Sequence, residues 1–342
     1  MVVAAVLTAG AGATQAGGAS AVVRFFVAGL ALAALAAVIG ESIEAVGERV
    51  GPGPTGILQS TLGNLPELLV GIFALRQGLY DVVRATLIGS ILGNALLVLG
   101  LAFVAGGIRH GAQRFDPDEP RHYAALLLVA VAALLVPTLA AHLEPLASGH
   151  MGVLSDVCAG VLLVIYASSV VWLLRREPGD LALEAPPRAG VPLPLAAGAL
   201  LLASGSAAVV SDWFVGALTP AIRVLGIRPT FTGLVIVAIA SNAVENAVGV
   251  RFALRGKPAY AVSTTLASPL QIALLLTPAL VLVSNVVGPR QLTLVFPTLL
   301  LVALALATAA VTVVTYDGEY TWIEGVALVG LYAMIATALW WS

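Results

Sequence analysis

Apolar residues occupy this chain in long blocks, and polar residues collect in short breaks between them. A helix that crosses a bilayer needs about 20 consecutive, mostly apolar residues. Ten segments meet that requirement: 23–47, 54–76, 80–105, 121–143, 152–174, 192–216, 229–253, 259–284, 291–314 and 321–341. Several hold Gly, Pro or polar residues, which soften their limits. The longest polar break inside the chain is RREPGDLALEAPPRAG, Arg175 to Gly190, with three prolines and both charge signs. It divides the segments five and five. The pattern predicts an all-α integral membrane protein with about ten transmembrane helices. Residues 21–174 form the first set of five, 175–190 a linker, and 191–342 the second set. Residues 1–20 are apolar but lack a basic stretch ahead of the apolar run, so they are not read as a cleaved signal. They are expected to be a weakly structured start or an incomplete extra helix.

Composition agrees with lipid as the solvent. Of 342 residues, 60% are hydrophobic and 10% charged, and the mean hydropathy is +1.02. A soluble domain usually carries about a quarter charged residues. The single cysteine, Cys158, excludes an intrachain disulfide and a thiolate metal cluster. A net charge of −2 with no basic block gives no sign of a nucleic-acid partner. Basic residues set an orientation. Arg49, Arg109, Arg114, Arg121, Arg175, Arg176, Arg188, Arg251, Arg255 and Lys257 fall on one side; Arg24, Arg76, Arg84, Arg223, Arg228 and Arg290 fall on the other. The positive-inside rule then places the linker in the cytoplasm and both termini outside a cell membrane.

The two halves share a polar motif. GNLPELLVGIFALRQG, Gly63 to Gly78, and SNAVENAVGVRFALRG, Ser241 to Gly256, both run Asn, Glu three residues on, Gly four further, then Phe-Ala-Leu-Arg. Asn64 thus matches Asn242, Glu67 matches Glu245, and Gly71 matches Gly249. Each glutamate is followed 23 positions later by a serine, Ser90 (67 + 23) and Ser268 (245 + 23), in IGSILGN and LASPLQI, which also carry the amides Asn94 and Gln271. Five helices per half make the second half start on the opposite side of the membrane. Inverted repeats of this kind are common in secondary transporters, which bind their ions near the midplane.

A charge at the bilayer centre costs at least about 2.5 kcal/mol, and two neighbouring carboxylates repel. Neither polar stretch holds a lysine or arginine at its centre. Arg76, Arg251 and Arg255 sit toward helix ends, where they can snorkel. Protons or a bound cation remain as ways to settle the charge, and a site that takes either is an exchanger site. Amides at Asn64, Asn242, Asn94 and Gln271 and hydroxyls at Ser90 and Ser268 suit a hard cation. Gly63 and Pro66 interrupt helix hydrogen bonding and free carbonyls such as those of Gly63 and Ser241. Flexible all-oxygen coordination with two carboxylates is what calcium prefers. There is no Cys/His set for zinc or copper. Protonated carboxyls acting as helix glue are the plainer alternative for Glu67 and Glu245, but would not require both halves to keep the same Asn, Glu, Ser and amide. For the serines and asparagines taken singly, ordinary helix contacts are a substantial alternative. Glu41, Glu44 and Glu48 share one face of the first helix, with Asp212 the nearest counterpart in the second half. They are expected either to guide ions inward or to form a solvated helix end. His110, His122, His142 and His150 lie in loops or near helix ends.

The segment Gly63–Gly100 resembles the first signature repeat of cation/proton exchangers of the CAX type, in the calcium/cation antiporter superfamily, and Ser241–Pro278 resembles the second. The resemblance implies antiport of Ca2+ for H+ by alternating access, with no resident cofactor. It implies that Glu67 and Glu245 bind calcium or protons and that the carbonyls of Gly63 and Ser241 complete the shell. Asn64, Asn242, Ser90, Ser268, Asn94 and Gln271 then surround it, and the first helix of each half, carrying Glu41 and Asp212, slides against a fixed core. Departures are Asn246 where the family commonly has histidine, Ser241-Asn242 for Gly-Asn, and Ala267-Ser268 for Gly-Ser. A sodium/calcium exchanger is the near alternative and a cation channel the more distant one. An enzyme is not expected: there is no HExxH and no nucleophile–base pair within a helix. A pump would need a Walker A sequence, and there is none.

Overall fold

The computed structural model describes residues 1–50, 62–144, 147–174 and 192–341; within these, the side chains of 44, 47–50, 147–148, 172–174, 243–246 and 341 are not described. The fold is almost entirely helical. Helices in chain order are α1 (Val2–Ala16), α2 (Ala21–Val50), α3 (Leu65–Arg76), α4 (Tyr80–His110), α5 (Asp118–Leu143), α6 (Met151–Leu174), α7 (Leu193–Leu225), α8 (Pro229–Ser241), α9 (Ala243–Leu254), α10 (Pro258–Val287), α11 (Thr298–Val314) and α12 (Trp322–Trp341). Seven of them, α2, α4, α5, α6, α7, α10 and α12, are long and apolar enough to cross a membrane. This is a multi-pass membrane protein. The linker 175–190 lies outside the described residues, as does 51–61, which includes the start of the expected segment 54–76.

The chain forms two compact units that cut across the sequence halves: Met1–Ala74 with Ala167–Ile227, and Leu75–Tyr166 with Arg228–Ser342.

The first unit is organised by α2 packed on α7. Buried residues on α2 recur at Phe25, Ala28, Leu32, Leu35, Ile39, Ser42 and Val46, alternating by three and four. On α7 they recur at Ala196, Ala199, Ala203, Ala207, Val210, Phe214, Ala217 and Ala221. This is the 3.5-residue period of a left-handed helix pair, and the alanines let the backbones come close. Phe25, near the start of α2, stacks on Phe214, near the end of α7, with centroids 4.7 Å apart. Only an antiparallel pairing also gives Ala196 and Ala199 a partner. At 1.5 Å per residue these helices are about 45–50 Å long, well beyond the ~30 Å hydrocarbon core. Residues 2–16 form the helix α1. It is a helix because small apolar residues dominate it and its first glycine pair to break it is Gly17-Gly18. Gly12 sits against Trp213, and Gln15 Nε2 donates to the Trp213 carbonyl at 3.4 Å, which docks α1 on α7.

The second unit is centred on α4, the most buried of the crossing helices. It meets two partners at glycine pairs. A Cβ at Gly89 would overlap the Leu234 backbone on α8, and one at Gly233 on α8 would reach the Val82 carbonyl at 2.7 Å. Similarly, Gly100 and Gly325 on α12 each approach the other's carbonyl, at 2.8 and 2.6 Å from the would-be Cβ. A two-stranded ladder ties the ends of these helices: β1 (Gln113–Arg114) pairs antiparallel with β2 (Glu319–Tyr320). Tyr320 is fully buried and stacks on Phe103 at 3.9 Å. Burial pushes its phenol up to about 12.

Two expected segments differ in the structure. The segment 229–253 is broken at Asn242, whose backbone (φ −97°, ψ 11°) leaves the helix. The segment 291–314 becomes helical only at Thr298. Before it, Leu292, Leu294 and Phe296 are buried in alternation. Their N–H groups are taken by Ser284 Oγ (2.7 Å), Ser155 Oγ (2.9 Å) and Thr138 Oγ1 (3.0 Å). Pro297 keeps the residue before it extended. An apolar stretch with external partners for its backbone does not need to be a helix.

Candidate ion site

Glu67 is the third residue of α3, which follows a turn at Gly63 and Asn64. It is 5% exposed. Pro66 at the second helical position forfeits no intrahelical hydrogen bond there. The positive end of the helix dipole favours a carboxylate in this first turn, which offsets part of the cost of burying it. Leu68 N–H donates to the Asn64 carbonyl at 3.0 Å, closing the turn. In the other unit, Glu245 is likewise the third residue of a helix of 12 that follows an asparagine break, α9 after Asn242. Its side chain, and that of Asn246, lie outside the described residues.

The second unit brings five of the expected residues into one buried network. Asn94 Nδ2 donates to the Ser90 carbonyl, Asn242 Oδ1 and Ser268 Oγ, each at 3.1 Å. Asn242 Nδ2 donates to Ser90 Oγ at 2.9 Å, to the Ala238 carbonyl at 2.9 Å and to Ser241 Oγ at 3.2 Å. All five residues are at most 6% exposed. The network is neutral: amides and hydroxyls, with no charge of its own. It links α4, the α8–α9 break and α10, and at each of these the helix is irregular. A π segment covers Gly93–Val98 in α4, Thr232–Val237 in α8 and Ile272–Leu276 in α10. Such widened turns rotate side chains off the regular helical register and recur at functional sites. Gln271 is half-buried in the last α-turn before the third of them. Gly249, matched to Gly71 in the repeat, has a structural reason: a Cβ there would crowd Thr265 Oγ1 at 2.5 Å, so it sets the spacing of α9 on α10.

The other expectations fare differently. Asn64, Glu67 and Gly63 belong to the first unit. Glu41 and Asp212 are exposed, while the side chains of Glu44 and Glu48 are outside the described residues. Sequence reasoning missed the π segments; the one hint was Gly93, next to Asn94, where the first of them begins.

A multi-pass helical protein with a buried carboxylate at a helix start and a neutral amide–hydroxyl network in its core is built to pass ions through lipid. The family model described as sodium/calcium exchanger protein matches residues 20–175 and 195–341, and the chain belongs to that family. It is 34% identical over 334 residues to the Ca(2+)/H(+) antiporter of Synechocystis sp., spanning 92% of this chain and 90% of that one. It is 31% identical to the Ca(2+)/H(+) antiporter ChaA of Bacillus subtilis, with 92% and 91% covered. The solved structure of native YfkE matches with a TM-score of 0.85 at 29% identity, covering 100% of this chain and 99% of that one. The resemblance to cation/proton exchangers is therefore correct at the level of family.

Proposed function

We propose that this protein is a secondary antiporter that exchanges Ca2+ for H+ by alternating access. The observation that carries this reading is full-length similarity to proteins named as Ca(2+)/H(+) antiporters. The local chemistry is consistent with it. Glu67 is buried at a helix start, and Glu245 holds the same place in its own helix. In the exchange cycle the two glutamates bind one calcium, or release it and take up two protons, so the charge within the site balances. Gly63 and Ser241 carbonyls join them as ligands, with Asn64, Asn242, Ser90, Ser268, Asn94 and Gln271 around the shell. Support for pairing the two glutamates comes from the repeat in the sequence, and from the matched helices α3 and α9, each of 12 residues.

The same reading has ten membrane-crossing segments in two inverted repeats of five, with the linker in the cytoplasm and both termini outside. Alternating access by a moving helix pair is supported by α2 and α7 falling together in one compact unit, with α1 and most of α3. Glu41, Glu44 and Asp212 on these helices would meet ions on the way in. A sodium-driven exchanger is the second reading, favoured by the description of the matching family. The amides Asn94 and Gln271 speak against it, since sodium coupling gains from a further carboxylate in those helices.

The test is calcium flux in proteoliposomes under imposed pH or sodium gradients. The expected result is uptake driven by the pH gradient, abolished by Glu67→Gln or Glu245→Gln. Uptake driven by sodium alone, or wild-type rates in either variant, would contradict it.

A further inference from the structure

Away from the ion site, the start of α4 carries two arginines beside the end of α10. Both belong to the second unit. Arg84 lies in a membrane-crossing helix with its side chain 14% exposed. It clasps the chain that follows α10: Nε donates to the Thr293 carbonyl at 3.1 Å and Nη2 to Thr293 Oγ1 at 2.9 Å. The carboxylate that answers its charge, Asp81, is 3.3 Å from Nη1 and 76% exposed, so water weakens the pair. These bonds use three of the five N–H groups of Arg84 and leave two. The second arginine, Arg290, makes no ion pair with any described residue, and it is near enough to Arg84 for the two to repel. Asp156, at this end of α6, is taken by Asn285 Nδ2 at 3.0 Å.

Arg290 is exposed yet held. Its guanidinium carbon lies 4.6 Å from the centroid of the Tyr80 ring. The Tyr80 hydroxyl accepts from the Arg290 N–H at 2.8 Å and donates to the Arg290 carbonyl at 2.5 Å. Gly288 leaves the room for this: a Cβ there would stand 2.9 Å from the hydroxyl. An arginine at a helix end ordinarily snorkels and swings with the solvent. Fixing one costs up to about 2 kcal/mol of rotamer entropy, and here it keeps the edge of the fork open beside a second guanidinium. Two arginines against Asp81 leave one positive charge in the notch. Next to it the surface is apolar. Leu282 and Val286, one turn apart on α10, and Val153 and Val157, one turn apart on α6, are exposed. Gln291 ties α6 to the notch, its Nε2 donating to the Gly152 carbonyl at 3.1 Å.

We propose that the notch between the start of α4 and the chain after α10 binds an anionic phospholipid. Its phosphate sits on Arg290 and Arg84, and its acyl chains lie along the apolar stripes of α10 and α6. Guanidinium forks match phosphate oxygens in pairs, and basic pockets between membrane helices hold lipid headgroups. The surplus charge selects an anionic headgroup, because the ammonium of a zwitterionic one would meet two guanidinium groups. None of these residues takes part in the proposed ion exchange, so the lipid site stands or falls independently of it.

The test is lipid binding to the purified full chain in detergent, counted by native mass spectrometry and followed by melting temperature. Phosphatidylglycerol should bind about tenfold tighter than phosphatidylcholine and raise the melting temperature more. Arg290 carries the test because it is exposed, so replacing it leaves the packing intact. Arg290→Gln should bring the two lipids within about twofold of each other. Arg290→Lys should keep part of the preference, since a point charge cannot pair as a fork does. Arg109→Gln, in the last turn of α4 at its other end, should leave the preference unchanged. Equal binding of the two lipids in the wild type, a preference that survives Arg290→Gln, or equal loss in both glutamine variants overturns the proposal. Stabilisation by inorganic phosphate equal to that by phosphatidylglycerol would mean a site for soluble anions, and would also overturn it.

Discussion

The two compact units solve the problem of packing helices in lipid in opposite ways. In the α2–α7 pair the contact is regular: one heptad stripe on each helix, rich in alanine on α7, without a π segment or a helix break in the described part. In the α4-centred unit the contacts are irregular. Glycine pairs bring backbones to van der Waals distance, three helices carry π segments, and a fourth break stands at Asn242. A repeating seam joins α2 and α7 into a pair that can move as one body. A unit pinned by glycine crossings and buried hydrogen bonds keeps one internal register. The difference teaches where motion and where binding belong: the pair can move, and the pinned unit can hold polar groups at fixed distances.

The pinned side should be the more fragile. Gly89→Leu, which drives a side chain into the Leu234 backbone, is expected to cost at least about 3 kcal/mol. Size-exclusion chromatography in detergent should show loss of the folded peak; a folded variant of unchanged melting temperature would break the comparison. Next comes the network. Asn242→Ala removes two donors and one acceptor from buried partners and should cost about 1–3 kcal/mol, read as a lower melting temperature together with slower calcium flux. The smallest change in stability belongs to the seam. Ala203→Val is expected to cost about 1 kcal/mol, the low end for overpacking, yet slow turnover several-fold, because a branched side chain loosens the pair that moves. A variant that melts earlier but transports at the normal rate would reverse the roles assigned to the two units.

Much of this was legible in the residues. Apolar blocks located most helices because lipid demands them, and the two Asn-x-x-Glu stretches stood out because polar groups in lipid are costly. The network of Ser90, Asn94, Asn242 and Ser268 was accessible for the same reason. What escaped has a common cause: it does not alter composition. A π turn in GNALLV looks like any apolar helix, and its presence depends on what packs against it. LTLVF before Pro297 has the composition of a helix, and is extended because Ser284, Ser155 and Thr138, far away in sequence, take its N–H groups. The partition into units was equally hidden, since α2 and α7 come from different halves and only their packing joins them.

The central claim is that calcium and protons compete for the same two carboxylates, Glu67 and Glu245. Its most direct test is proton release on calcium binding, measured with a pH-indicating dye in weakly buffered detergent solution at mildly acid pH. Metal binding to protonated ligands releases protons, and the account predicts about two per calcium in the wild type. Glu67→Gln and Glu245→Gln should each abolish the signal. Calcium binding without proton release, or release that survives both substitutions, would contradict it.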